Sequence, residues 1–150
     1  MTPYDMIRES ISQTVPFANH TGVELISIED GVGEALLPAQ DVTLNHIGSQ
    51  HAGALFTLGE AASGAAMAGG FVSVLMTVRP VAANASIRYV KVAKGPIRAF
   101  AKLSQPAGDL LSVLDEAGKV QFAVEVSMRD EAEEEVTAMQ VDWHVSKAAA

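Results

Sequence analysis

A single acid, Glu60, interrupts the stretch "HAGALFTLGEAASGAAMAGG" that runs from His51 to Gly70. Glutamate is rarely buried unless it is paired or has a task, so its place in the most apolar part of the chain asks for a reason. At helical spacing Glu60 shares a face with Phe56, Ser63, Gly64 and Met67. The start of the same helix offers a second chemical feature. Ser49 is expected to cap it, leaving the amides of Gln50, His51, Ala52 and Gly53 without helical partners. Such donors, at the positive end of a helix, suit the oxyanion that develops during acyl transfer. Asn45 lies just upstream and is placed to hold a water or a carbonyl.

The two features cannot meet at one carbonyl on one helix. Ala52 and Glu60 are separated by about 12 Å along a helix axis, whereas a reacting carbonyl needs both groups within about 3 Å. If both act together, Glu60 must come from a second copy whose helix runs antiparallel beside the first.

The elements that would position these groups follow from periodicity. "TPYDMIRESI" reads as a capped helix, with Thr2 before Pro3, Asp5 three residues after Thr2, and Tyr4, Ile7 and Ile11 on one face. This N-terminal helix is expected within residues 1–16. Two short extended runs flank Asp30-Gly31, a hairpin signal. A central helix is expected from about residue 50 to 69, then a strand over "FVSVLMTV" buried on both faces. "NASIRYVKVA" and "IRAFAKLS" read as strands around the turn Lys94-Gly95-Pro96, and "KVQFAVEVSMR" alternates with a period of two. Thr137, Met139, Val141, Trp143 and Val145 repeat that period, leaving a tail at 147–150. The expected class is α+β: one domain over 1–150, with a mostly antiparallel sheet and one central helix.

Composition narrows the function classes. The chain has no cysteine, which removes thiolate zinc sites, thiol nucleophiles and disulfides and fits a cytoplasmic location. The opening residues lack the apolar stretch of an export signal. His46 and His51 have no second pair at ligand spacing, so no metal is expected, nor any cofactor. His20 and His144 read as surface or packing residues, and Met67, Met76 and Trp143 as core. From Ala52 to Met76 only Glu60 is charged, so a membrane span must be weighed. Glu60, the glycines and the amphipathic strands that follow count against it, and no membrane partner is expected. A net charge of −8 argues against nucleic acid. The charge is unevenly spread, because residues 61–108 contain no Asp or Glu but hold Arg79, Arg88, Lys91, Lys94, Arg98 and Lys102. That segment reads either as scattered surface charge or as a patch for a phosphate-bearing ligand.

"NHIGSQHAGALFTLGE" resembles the signature of PaaI-type acyl-CoA thioesterases of the hotdog fold. Asn45, Gly48, His51, Gly53 and Glu60 fall at the spacings of that pattern. "SIRYVKVAKGPIRAFAKL" is similar to the family's next signature, and the resemblance spans residues 20 to 146. It implies an antiparallel β-sheet wrapped around a long central helix, and homodimers, or dimers of dimers, with sites at the subunit interface. It implies a catalytic set in which Glu60 is base or nucleophile and Ala52, beside Gly53, gives the oxyanion amide. Asn45 would orient the thioester or water, and His51 opens the helix motif. Phe56 and Ser63 would contact the substrate, and Lys91, Lys94 and Arg98 the phosphates of coenzyme A. The chain departs from the pattern at Ala52, where the first glycine of a pair stands in the family, at Val92 for a proline, and at Ala82 and Ala83, where some members carry a hydroxyl. The competing reading is a hotdog protein that binds acyl-CoA or another ligand without turnover.

Overall fold

The computed structural model describes residues 1–148. The N-terminus begins as its residues predict: α1 (Pro3–Thr14) carries a capping box in which Thr2 and Asp5 satisfy each other's backbone N–H groups, with proline in the first turn. A second short helix that the sequence reading did not foresee follows it. Pro16 cannot continue α1, so α2 (Pro16–Thr21) starts there and stops at Gly22 in the left-handed conformation.

The hairpin then forms as expected. β1 (Glu24–Glu29) and β2 (Val32–Leu37) pair antiparallel across Asp30-Gly31, with Gly31 at φ 70°. After a loop braced by buried Gln50, α3 (Ala52–Gly70) crosses the molecule. β3 (Val78–Tyr89), β4 (Ile97–Leu103), β5 (Lys119–Arg129) and β6 (Glu135–Lys147) complete one six-stranded antiparallel sheet in the order β1-β2-β4-β5-β6-β3. The sheet wraps α3, so the helix is buried by sheet on most of its surface, as its apolar composition requires. No helix among the described residues is long and apolar enough to cross a membrane.

Close approach explains two glycines. A methyl on Gly33 of β2 would stand 2.7 Å from the Ala62 carbonyl oxygen and the Ala66 nitrogen of α3. A methyl on Gly69 would run into the carbonyl oxygen of Glu29. Strand and helix backbones therefore touch on both strands beside the hairpin turn, and only hydrogen fits. Just beyond, at the C-terminal end of α3, Phe71 and Phe122 stack with centroids 5.2 Å apart.

Two expectations are corrected. "FVSVLMTV" is not a buried strand: Phe71 ends α3, its N–H bonding to Met67, and a turn plus a 3-10 turn (Leu75–Thr77) carry the chain to β3. Only Val78 of that run enters the sheet. A helix was also missed. α4 (Ala107–Ala117) sits between β4 and β5, burying Leu110 and Leu114 on one face and ending at Gly118 with φ 78°. The expected tail is shorter than foreseen, since β6 includes Lys147, and residues 149–150 lie outside the described residues.

Candidate functional site

Glu60 sits near the middle of α3, on the stripe that the sheet leaves uncovered. Its carboxylate opens on a cavity of about 360 Å³ between α3, the α1–α2 corner and Trp143. Burial raises its carboxyl above the ordinary value of 4.5. Among the described residues no hydrogen bond or ion pair reaches that carboxylate; only its main-chain carbonyl is engaged, accepting from Ser63 Oγ at 2.7 Å. A partly buried, unpartnered carboxylate in an apolar wall is in the right state to take a proton near neutral pH.

The helix start is arranged differently from expectation. Ser49 is not the cap. His51 is, with its Nδ1 accepting from Gly53 N–H at 2.8 Å. The amides of Gln50 and His51 are not free, because they donate to Ala93 and Thr43 carbonyls at 2.8 Å each. The reason is the short antiparallel bridge between Leu44 and Gln50, which closes residues 45–49 into a tight turn and delays the first helical residue to Ala52. With Gly53 N–H turned to His51, the Ala52 N–H remains at the exposed end of the helix. Tyr89 donates its hydroxyl to the Ala52 carbonyl at 3.0 Å, and partial burial raises its phenol, keeping it a donor.

Asn45 is committed to its own loop. Its Oδ1 accepts from the amides of Ile47 and Ser49, and its Nδ2 donates to Ser49 Oγ at 2.8 Å. It braces the turn that carries Gly48 at φ 77° and keeps one amide N–H beyond these bonds. Ser63 is wholly buried and accepts from Trp143 Nε1 at 3.0 Å while bonding back to Glu60 O. It locks the indole against α3, so its hydroxyl is engaged on both sides. Phe56 is 38% exposed but lies outside the Glu60 cavity, one turn earlier on α3.

The three basic residues are unequal. Lys91 is paired with Glu134 and lies 3.6 Å from Asp130. Arg98 bonds Glu34 at 3.0 Å. Lys94 has no ion pair among the described residues and stands exposed beside the Gly95 turn. The described residues contain no cluster of acids and histidines able to hold a metal ion.

Sequence reasoning missed the cavity wall. Trp143, read as plain core, lines the cavity, and so do Ile11, Val15 and Ala18 from the N-terminal helices. The apolar spacing of Ile7 and Ile11 was the available signal, but it did not say what α1 covers.

Residues 5–145 match the family model described as "Domain of unknown function (DUF4442)". The chain belongs to that family. No curated protein matches the sequence of this DUF4442 member. Among solved structures it is similar to a Pseudomonas aeruginosa protein described as of unknown function and as a "Probable Thioesterase". The two share 27% identity and a TM-score of 0.82, over 96% of this chain and 95% of that one. The PaaI protein of E. coli, from the phenylacetic acid degradation operon, shares 17% identity with a TM-score of 0.69, over 91% and 92%. A Staphylococcus aureus thioesterase, solved as a point variant, shares 19% with a TM-score of 0.70, over 88% and 99%. These likenesses establish the fold of the DUF4442 chain as the hotdog fold, the sheet wrapped around α3.

Proposed function

We propose that this protein is an acyl-CoA thioesterase. The observation that carries the reading is the Glu60 carboxylate, unpartnered and raised by burial in the wall of an apolar cavity. The thioesterase names of structural neighbours support the same reaction class. Water activated by Glu60, or adding to an acyl-enzyme formed on it, cleaves the carbon–sulfur bond. The Ala52 amide receives the oxyanion, and the coenzyme leaves as thiol, taking a proton.

The ~12 Å between Ala52 and Glu60 along α3 requires two copies per site. Support comes from β3, an edge strand whose residues from Val81 to Asn84 are exposed and which lies opposite β1 in the sheet order. Antiparallel pairing of two β3 edges would continue the sheet through a two-fold axis and cover Phe56 and Tyr89. Lys94 is then the residue best able to meet a coenzyme phosphate without losing an internal partner.

A second reading, a hotdog protein that binds acyl-CoA without turnover, is favoured by Asn45, whose amide is turned to its own loop, and by Ser63, whose hydroxyl is engaged on both sides. Hydrolysis of an acyl-CoA panel of varied chain length and aromaticity, followed by thiol release, separates the two. Turnover of any member supports the thioesterase; binding of the panel without turnover overturns it.

Complementation tests the shared site. Ala52→Pro removes the oxyanion amide at the first helical position, where proline is tolerated, and His51 already has the extended φ −65° and ψ 143° that a following proline demands. Glu60→Gln removes the acid. Each homodimer should lose about 100-fold or more. Refolded together at random, half the dimers are mixed and each regains one intact site, so activity should return to about a quarter of wild type. Mixed dimers that form and stay inactive would refute the shared site.

A further inference from the structure

The cavity beside Glu60 has a direction. Its floor is the α3 stripe Glu60, Ala61, Gly64, Met67 and Ala68, which spans about 12 Å of helix axis. Beyond Ala68 the wall continues to half-buried Leu75 and to Met76, which is exposed at the cavity's mouth and not in the core as expected. The roof is the α1–α2 corner, through Ile11, Val15 and Ala18. α1 is an independently capped helix with an apolar face, yet none of its residues is buried. Ile7 and Ile11 lean on the edge of the core without being fully buried, so α1 closes the cavity from the solvent side.

The chemistry of the wall is selective. It contains no Lys, Arg or His, and Glu60 is its one charged group, so anionic ends are turned away. Trp143 is its single aromatic side chain, fixed by the hydrogen bond to Ser63. The rest of the lining is aliphatic apart from small polar residues of the α1–α2 corner such as Ser12, whose hydroxyl bonds the Arg8 carbonyl at 2.6 Å.

We infer that this cavity takes an unbranched aliphatic acyl chain of medium length, carbonyl end at Glu60 and methyl end toward Leu75 and Met76, with the α1–α2 corner setting the limit. The inference rests on the thioesterase reading for its acyl end and names that reading's substrate class. Length sets the limit. A saturated chain advances somewhat less than its ~1.5 Å bond per carbon, so a ~12 Å floor takes about nine or ten carbons. Volume is sufficient: an apolar cavity of ~150 Å³ holds one benzene, so the 360 Å³ here has room for about 14 carbons on the same scale.

Gly64 is the residue that keeps the floor open. A methyl there would sit 3.4 Å and 3.6 Å from two ring carbons of Trp143, in ordinary contact, so a larger side chain is accommodated at its base and fills the cavity with its tip. Val15, 39% exposed at the α1–α2 joint, allows the roof to be lowered without disturbing the core.

Trp143 is the one tryptophan of the chain and reports on occupancy directly. Straight-chain alcohols from butan-1-ol to decan-1-ol serve as probes, neutral so that Glu60 does not repel them. Their titration should change Trp143 fluorescence saturably, with affinity rising about fourfold per methylene until the cavity fills. Gly64→Leu and Val15→Phe, each checked for native circular dichroism, should weaken decan-1-ol at least about tenfold. In turnover they should lower the ratio of kcat/KM for decanoyl-CoA over butyryl-CoA by a similar factor. If no acyl-CoA is hydrolysed but decan-1-ol binds and both variants block it, the thioesterase reading falls and the chain site stands. If acyl-CoAs are hydrolysed but alcohols leave Trp143 unchanged, or neither variant alters binding or the ratio, the chain site is overturned and the thioesterase stands.

Discussion

Replacing Glu60 by glutamine should make the protein more stable and less active at once. The amide keeps the shape of the side chain and removes its charge. In the wild type, burial raises the carboxyl above 4.5, the value expected for the unfolded chain. Between 4.5 and the raised folded value, the folded protein therefore holds more proton than the unfolded one. Stability contributed by this group falls as pH rises through that window, and above it the ionised carboxylate remains a net cost. A partly desolvated, unpartnered carboxylate costs more than a neutral amide in the same place, by roughly 1 kcal/mol. Glu60→Gln should recover about that amount at neutral pH, or about 3 °C in Tm for a chain of this size. The gain should fade toward about pH 4, where the wild-type carboxyl is protonated in both states.

Urea unfolding of both proteins at about pH 4 and about pH 7.5 measures the effect. In the same samples hydrolysis should fall by at least about 100-fold in the variant, the scale of a lost general base. Wild-type kcat/KM should decline as pH is lowered through the raised Glu60 value, since only the ionised form accepts a proton. A variant less stable than wild type at neutral pH would show that the carboxylate is satisfied in the folded protein. Near-normal turnover would return it to a structural role.

His51→Ala should cost about 0.5–2 kcal/mol of stability by removing the cap on Gly53 N–H, with His51→Asn restoring most of it; urea midpoints that do not move would place the cap elsewhere. Lys94→Ala should raise KM for acyl-CoA by about 3- to 10-fold at low salt, an effect that added salt erodes. It should leave a phosphate-free thioester analogue unaffected, and equal losses on both substrates would remove the phosphate role.

Strands with one face on the core were legible; β3, none of whose residues is buried, was placed too late, over "NASIRYVKVA" rather than Val78–Tyr89. β5 was readable from end to end: Val120, Phe122, Val124, Val126 and Met128 are all buried while Lys119, Gln121, Glu125 and Arg129 are exposed. The first hairpin was equally plain because Asp30-Gly31 leaves the chain few alternatives. α4 was missed although Asp109, Leu110, Leu114 and Gly118 spell a helix with a stop signal. Its eleven residues occupy what reads, between two alternating runs, as an ordinary hairpin connection. Residues 71–78 failed for the opposite reason. A continuous apolar run has no periodicity to distinguish a buried strand from a helix end and turn, and it was Phe71, folding back into the core, that decided it.

The site divides along the same line between local and distant information. Glu60 was visible because its meaning lies in its immediate neighbours, which are apolar. The cap was misassigned by two residues because a bridge from Leu44 to Gln50 ties Ser49 into a tight turn, and that pairing is not written in the helix itself. The basic segment shows the limit most clearly. Residues 61–108 contain no acid in sequence, but strand pairing brings acids to them: Arg98 on β4 meets Glu34 on β2, and Lys91 meets Asp130 and Glu134 beyond β5. Two of the three residues expected to meet phosphate are therefore paired in three dimensions, although the sequence shows no acid near them. The phosphate proposal narrows from three residues to Lys94, because an exposed ion pair stabilises little by itself yet must be broken before either partner can serve a ligand.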